Sequence, residues 1–210
     1  YSIVDFAVYA SFFPILIQGP ITRFNEIKDS IHAGNSITYQ NLKFGSQRIL
    51  FGLMKKMIIA DRLDPAVSKI FTSYTQDGLF SLIGAVLCTI QLYMDFSGIV
   101  DICLGSAEIF GIKLPENFRQ PFFAENASDF WRRWHITLGT FLRDYVFYPI
   151  SLAKPTHRLS KFFTKHFGKA AGKFIGPFIA LFAVWFLNGL WHGPYWSYIF
   201  YGLYYFCFMV

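Results

Sequence analysis

From Phe174 to Val210 the chain contains no Asp, Glu, Lys or Arg. At about 1.5 Å per helical residue this stretch is long enough for nearly two crossings of a bilayer's hydrocarbon core. Lipid offers no partner to a bare N–H or C=O, so such a segment must close its hydrogen bonds within itself, as helix. Pairing it with a turn near Trp191-His192-Gly193-Pro194 gives two membrane helices. Composition points the same way. Of the 210 residues 54% are hydrophobic and 20% aromatic, and only 15% are charged. A soluble domain carries roughly 25% charged residues to coat its surface. The fold class expected is an all-α membrane protein, a multi-span helical bundle with re-entrant or broken helices.

Upstream segments fit that class. Phe6 to Thr22 is uncharged but carries Pro14 and the pair Gly19-Pro20, which favours a kinked or re-entrant path whose freed backbone groups are buried against protein. Thr22 to Gln40 is polar and reads as a loop. Lys43 to Ile70 has helical spacing in Ile49, Leu50, Leu53, Met54, Met57 and Ile58, with Arg48, Lys55, Lys56, Arg62 and Lys69 interleaved. Leu79 to Met94 is an apolar helix that runs on to Asp95, Asp101 and Glu108. Gly111 to Asn126 reads as an ordered loop at the interface. Asp129 to Ile150 is too charged for a lipid-facing span and reads as helical pieces among other helices, with Ser128 or Asn126 as N-cap.

The formal net charge is +6. The basic residues lie between apolar stretches, which fits cytoplasmic loops better than a nucleic-acid surface, so no nucleic-acid partner is expected. Lys154 to Lys173 is basic without one acidic residue; it reads as a cytoplasmic loop with an amphipathic portion, a topology signal more than a docking site for an acidic carrier. Cys88, Cys103 and Cys207 lie in apolar segments without a CxxC pair, which excludes a disulfide framework and gives no metal set. The chain starts without Met and stops inside an apolar run, so residues 1–210 read as one membrane-embedded core segment, truncated at both ends.

Two of the five histidines stand apart. His135, in Trp131-Arg132-Arg133-Trp134-His135, would share a helix face with Trp131 at i, i+4, with Trp134 beside it; it is either a site residue in an aromatic slot or a satisfied histidine in an interface belt. His192, in Asn188-Gly189-Leu190-Trp191-His192-Gly193, is the one readily ionisable side chain in a long uncharged run. It should therefore face a cavity or a partner. Asn188, one turn earlier, is placed to bond to it or to a substrate, and polar contact between helices is the structural alternative. A neutral imidazole is a natural general base for a hydroxyl. No GxSxG, HExxH or P-loop accompanies it. Asp95 and Asp101 are placed to orient a histidine, to bind a cation, to pair with Arg132, Arg133 or Arg143, or to line a polar transport pathway with His192; internal ion pairing is the favoured reading.

Five stretches, SFFPILIQGPITRF, MDFSGIVDICLG, FGIKLPENFRQPF, DFWRRWHITLGTFLRDYVFYPI and NGLWHGPYWSYIFYGLYY, resemble the membrane-bound O-acyltransferase family in their order and wording, and together cover most of the chain. The resemblance implies a ring of membrane helices around a central tunnel in which an intracellular acyl thioester meets an acceptor hydroxyl. It also implies that His192 is the catalytic histidine and that His135, the family's second, shapes the site; Asn188, Trp131, Trp134 and Trp191 are read, from their own positions, as residues around the substrates. The co-substrate expected is acetyl-CoA or an acyl carrier protein, with no bound cofactor or metal. The partners expected are periplasmic acetyl-transfer proteins, an exported polysaccharide and the lipid of a bacterial inner membrane. The wording is nearer the alginate-type branch than the branch that D-alanylates teichoic acid.

Overall fold

The computed structural model describes residues 2–72 and 78–210. Its regular elements are helices; among the described residues the only β-type pairing is an isolated bridge between Phe118 and Trp134. The chain forms two compact units, Tyr1–Asn117 and Phe118–Val210.

In the first unit, α1 (Ile3–Ser11) opens on a capping box: the Ser2 hydroxyl accepts from the Asp5 amide and the Asp5 carboxylate accepts from the Ser2 amide. The chain leaves helical geometry at Phe12, and α2 (Phe13–Leu16) restarts with Pro14 in its first turn. This is the kink expected of the proline-bearing stretch, fixed at its far end by the Tyr9 hydroxyl donating to the Thr22 carbonyl at 2.6 Å. The polar stretch after Thr22 is not all loop. Residues Phe24–Ala33 form α3, capped when Glu26 accepts from the Arg23 amide at 2.9 Å and ended by Gly34 in the left-handed region at φ +59°. Its apolar residues are few, but Ile27 is 1% exposed and packs with Ala107 and Ile112. Tertiary burial of one stripe has overridden weak local hydrophobicity.

The next helices carry the unit. Helix α4 (Tyr39–Leu53) passes through a π-helical segment, Met54–Ala60, into α5 (Asp61–Thr72), and α6 runs from Gly78 to Ile109. Helix α4 packs antiparallel on α6 through two reciprocal glycine pairs. A Cβ on Gly45 would lie 2.6 Å from the Gly105 carbonyl oxygen and one on Gly105 2.6 Å from that of Gly45; for Gly52 and Gly98 the distances are 2.5 and 2.8 Å. Both pairs repeat after seven residues, so they fall on one face of each helix, and the missing side chains let the backbones touch.

Beside those contacts runs an ion-pair network. Arg48 donates Nε to Asp101 at 3.1 Å and clamps Glu116 through both terminal nitrogens at 2.7 and 2.6 Å. Lys55 reaches the other Asp101 oxygen at 2.6 Å, and Lys56 joins Asp61 at 2.6 Å and Asp95 at 2.7 Å. Asp95 and Asp101 are thus ion-paired, as one of the readings had it, but with Lys56, Arg48 and Lys55 instead of Arg132, Arg133 or Arg143. Those three arginines pair locally, Arg132 and Arg133 with Asp129 and Arg143 with Asp144.

The second unit begins with the loop strand at Phe118, whose neighbour Arg119 donates its amide to the Arg133 carbonyl at 2.9 Å. Helix α7 (Ala127–Arg133) is capped by Asn126, which accepts from the Asp129 amide at 2.8 Å; Ser128 lies inside the helix. Short helices α8 (Ile136–Leu142) and α9 (Tyr148–Ser151) flank a π-helical segment, Arg143–Phe147. Then come α10 (Lys154–Phe167), α11 (Lys169–His192) and α12 (Trp196–Met209). The break between α11 and α12 falls where the glycine and proline predicted it. Gly193 takes φ +152°, open to glycine and rarely to other residues. Of the described helices, α6 and α11 are long and apolar enough to cross a membrane.

Candidate active site

The second unit holds both singled-out histidines. His192 is the last residue of α11, where the helix has just run out of hydrogen-bond partners, and its side chain is exposed. Two tyrosines of α12 flank the imidazole: Tyr198 lies near-parallel at 6.2 Å and Tyr201 edge-on at 5.6 Å. The hairpin is drawn tight by absent side chains. A Cβ on Gly193 would lie 2.8 Å from Cε2 of Tyr198, and Cβ atoms on Gly189 and Gly202 would strike the carbonyls of Tyr198 and Trp185. The glycines around the histidine therefore serve the close approach of α12, which brings Tyr198 and Tyr201 to the ring.

His135 stands in a different local setting from the one its spacing suggested. Helix α7 ends at Arg133, Trp134 is extended, and His135 takes φ +47° and ψ +52° before α8 begins. Trp131 and His135 are therefore not one turn apart on a continuous helix. A left-handed residue with a full side chain costs of order 1 kcal/mol or more and persists only where the surroundings over-determine it. Here the surroundings are visible: Trp134 stacks on Phe130 at 5.7 Å and meets the Phe118 ring at 5.1 Å, so the bridge at Phe118 fixes the chain just before the histidine. Burial pushes the His135 imidazole down to about 4, and the neighbouring His192 adds to the shift. His135 is thus neutral at pH 7 and able to accept a proton or donate one through its single N–H.

Trp131 is wedged between Trp185 of α11 and Tyr205 of α12, each ring 4.9 Å away and nearly perpendicular. Tyr205 stacks on Trp185 at 5.4 Å and meets Tyr201 at 5.0 Å. A continuous aromatic column therefore runs from His192 through Tyr201 and Tyr205 to Trp131. Asn188 is buried, 5% exposed, and among the described residues no hydrogen bond joins it to His192. Trp134 belongs to the packing that sets the His135 turn. Trp191 is 65% exposed and, among the described residues, makes no ring contact. Tyr198, Tyr201, Tyr205 and Trp185 were not singled out from the sequence. The tyrosines' signal was present in the i, i+3, i+7 spacing within YWSYIFYGLYY, which is hidden because most neighbouring positions are aromatic or apolar as well.

A chain whose described elements are helical, two of them long and apolar enough to cross a membrane, with a histidine at the end of an aromatic column, fits the class of membrane-embedded enzymes and transporters that set a proton-handling group among helices. The particular family follows from comparison with known proteins. The sequence model of the membrane-bound O-acyltransferase family matches residues 1–210, and the chain belongs to that family. It is similar to the probable alginate O-acetylase AlgI of Azotobacter vinelandii, 36% identical over 96% of this chain and 37% of that protein. It is also similar to the peptidoglycan O-acetyltransferase of Helicobacter pylori, 35% identical over 95% of this chain and 35% of the relative. The teichoic acid D-alanyltransferase of Bacillus subtilis is 32% identical over 92% of this chain and 47% of its own length. The chain thus spans between about a third and a half of the length of these relatives.

Proposed function

We propose that this chain is the histidine-bearing core of a membrane O-acyltransferase. It would move an acetyl group from an intracellular thioester, acetyl-CoA or an acyl carrier protein, to a hydroxyl of an exported polysaccharide or of a periplasmic transfer partner, in a bacterial inner membrane. The observation that carries the reading is the placement of His192: an exposed imidazole at the end of α11, held by two tyrosines, in a chain whose relatives named as O-acetylases match it over almost its whole length.

In this mechanism the acceptor oxygen attacks the thioester carbonyl while His192 takes the hydroxyl proton. The C–O bond forms, the C–S bond breaks, and the proton passes to the departing thiolate. General-base help of this kind contributes typically 10²–10⁴-fold, and holding both substrates in one tunnel supplies much of the rest. Asn188 is placed one turn before the base, buried and free of a bond to it, where its amide can donate to the developing oxyanion. His135, neutral through burial, and Trp131 line the donor side, with Trp134 fixing the turn that presents His135 and Trp191 offering an exposed ring to a substrate. The chemistry needs no metal, and Asp95 and Asp101 are engaged by cations of the same unit, which leaves them poorly suited to a transport path. The test is acetyl transfer by membranes holding the full-length protein, comparing His192→Ala with the parent at equal insertion. Retention of activity within a few-fold would remove His192 from the role of base.

A further inference from the structure

The chain's charge is distributed very unevenly. Of its 19 Lys and Arg, six lie in the α10–α11 hairpin: Lys154, Arg158, Lys161, Lys165, Lys169 and Lys173. The remaining 13 equal the 13 Asp and Glu, none of which lies between Lys154 and Lys173, so the entire formal excess of +6 falls on this hairpin. Elsewhere many cations are paired, as Arg48, Lys55, Lys56, Arg132, Arg133 and Arg143 are. Among the described residues no carboxylate reaches any of the six.

Helix α10 sorts its residues into three stripes. Thr156, Ser160 and Thr164, at i, i+4, i+8, carry the contact with α11, where a Cβ on Gly172 would meet the Thr164 side chain and the Ser160 carbonyl and one on Gly176 would lie 3.6 Å from Thr156 Cγ2. Lys154, Arg158, Lys161 and Lys165, at i, i+4, i+7, i+11, form a second, exposed stripe. One residue along from it, Pro155, Leu159, Phe162 and His166 form a third, with Leu159 37% and Phe162 51% exposed and the His166 ring 4.2 Å from Phe162. Lys169 and Lys173 then continue the positive charge into the first turns of α11, a helix of spanning length. A cationic stripe beside an apolar one, next to the end of a spanning helix, matches the layered chemistry of a membrane surface, phosphate outside and acyl chain beneath. A soluble polyanion would satisfy the lysines and leave Leu159 and Phe162 in water.

We propose that α10 and the first turns of α11 form a docking surface for anionic phospholipid, the basic stripe against headgroup phosphates and the Leu159–Phe162 stripe in the acyl boundary. The surface does not depend on the acyl-transfer reading. The test places a reporter at Phe162→Trp in the full chain, reconstituted in phosphatidylcholine nanodiscs containing either brominated phosphatidylglycerol or brominated phosphatidylcholine at equal mole fraction. Quenching of the native tryptophans, measured in the unsubstituted protein, is subtracted. Quenching by the brominated phosphatidylglycerol should be at least roughly twice that by the brominated phosphatidylcholine, and the difference should vanish in 1 M salt. It should also vanish in Lys154→Gln/Arg158→Gln/Lys161→Gln/Lys165→Gln, and shrink in each half-variant, Lys154→Gln/Arg158→Gln and Lys161→Gln/Lys165→Gln, should the fourfold change not fold. Equal quenching by both lipids overturns the proposal. So does a preference that survives the substitutions, or one abolished by millimolar inorganic phosphate at constant ionic strength, which would mark a site for free phosphate instead.

Discussion

His192 and His135 are the same side chain in two settings, and their predicted behaviour differs accordingly. His192 is exposed and flanked by rings, so its loss should disturb the packing little. His192→Ala should reduce acetyl transfer by about 10² or more, the scale of a general base, with little change in thermal midpoint. His135 is half-buried and held neutral. In the fold its proton is bound only near pH 4, whereas an unfolded histidine binds one below about 6.5. Between those values the unfolded chain carries the extra proton, so stability falls as pH drops from 6.5 towards 4. His135→Gln should flatten that part of a thermal-midpoint profile measured in detergent; an unchanged profile would show that His135 titrates normally. The sequence singled out these two histidines by their aromatic and uncharged surroundings. That His135 adopts a left-handed turn was not, because the i, i+4 pattern of Trp131 and His135 is fully compatible with an unbroken helix. The turn is set by the bridge of Trp134 to Phe118, which lies 17 residues before His135.

Among elements, the α4–α6 pair is held by backbone approach and by charge, and each makes a separate prediction. Gly52→Leu would push a side chain into the Gly98 carbonyl and Ile102, and should cost about 2 kcal/mol or more, read as a lowered unfolding midpoint in detergent. Gly139→Ala in α8 is the contrasting case: its Cβ would meet only the Trp131 carbonyl oxygen at 3.9 Å, so the gain in helix propensity should survive as about 0.5 kcal/mol of stabilisation. Arg48→Ala leaves Asp101 and Glu116 without their shared cation. Because Arg48 is 34% and Glu116 42% exposed at the side chain, the expected loss is about 1–2 kcal/mol, below the 3–5 of a fully buried pair. Arg48→Lys should recover only part of it, since an ammonium cannot make the two-pronged contact with Glu116. Most helices were legible from apolar runs and proline positions. Helix α3 was not, since its sequence is polar and its one buried stripe gains meaning only against Ala107 and Ile112.

For the whole molecule, the two units divide the labour. The first balances its charges within a packed helical frame, and the second carries the histidines, the aromatic column and the unbalanced positive hairpin. Membranes bearing the full-length protein and supplied with equal amounts of acetyl and D-alanyl thioester should incorporate the acetyl label into product and not the D-alanyl label. The reverse result would move the chain to the teichoic-acid branch of its family. Sequence alone determined the solvent, the helical class and the residues worth testing, because apolar run length, charge placement and lone polar groups in uncharged stretches are written locally. Only the tertiary structure decided which tyrosines meet His192, how Trp131 joins the column, and which cations answer Asp95 and Asp101. Those are choices among residues far apart in the chain, and they are settled by how closely two helices can pack where a glycine removes the Cβ between them.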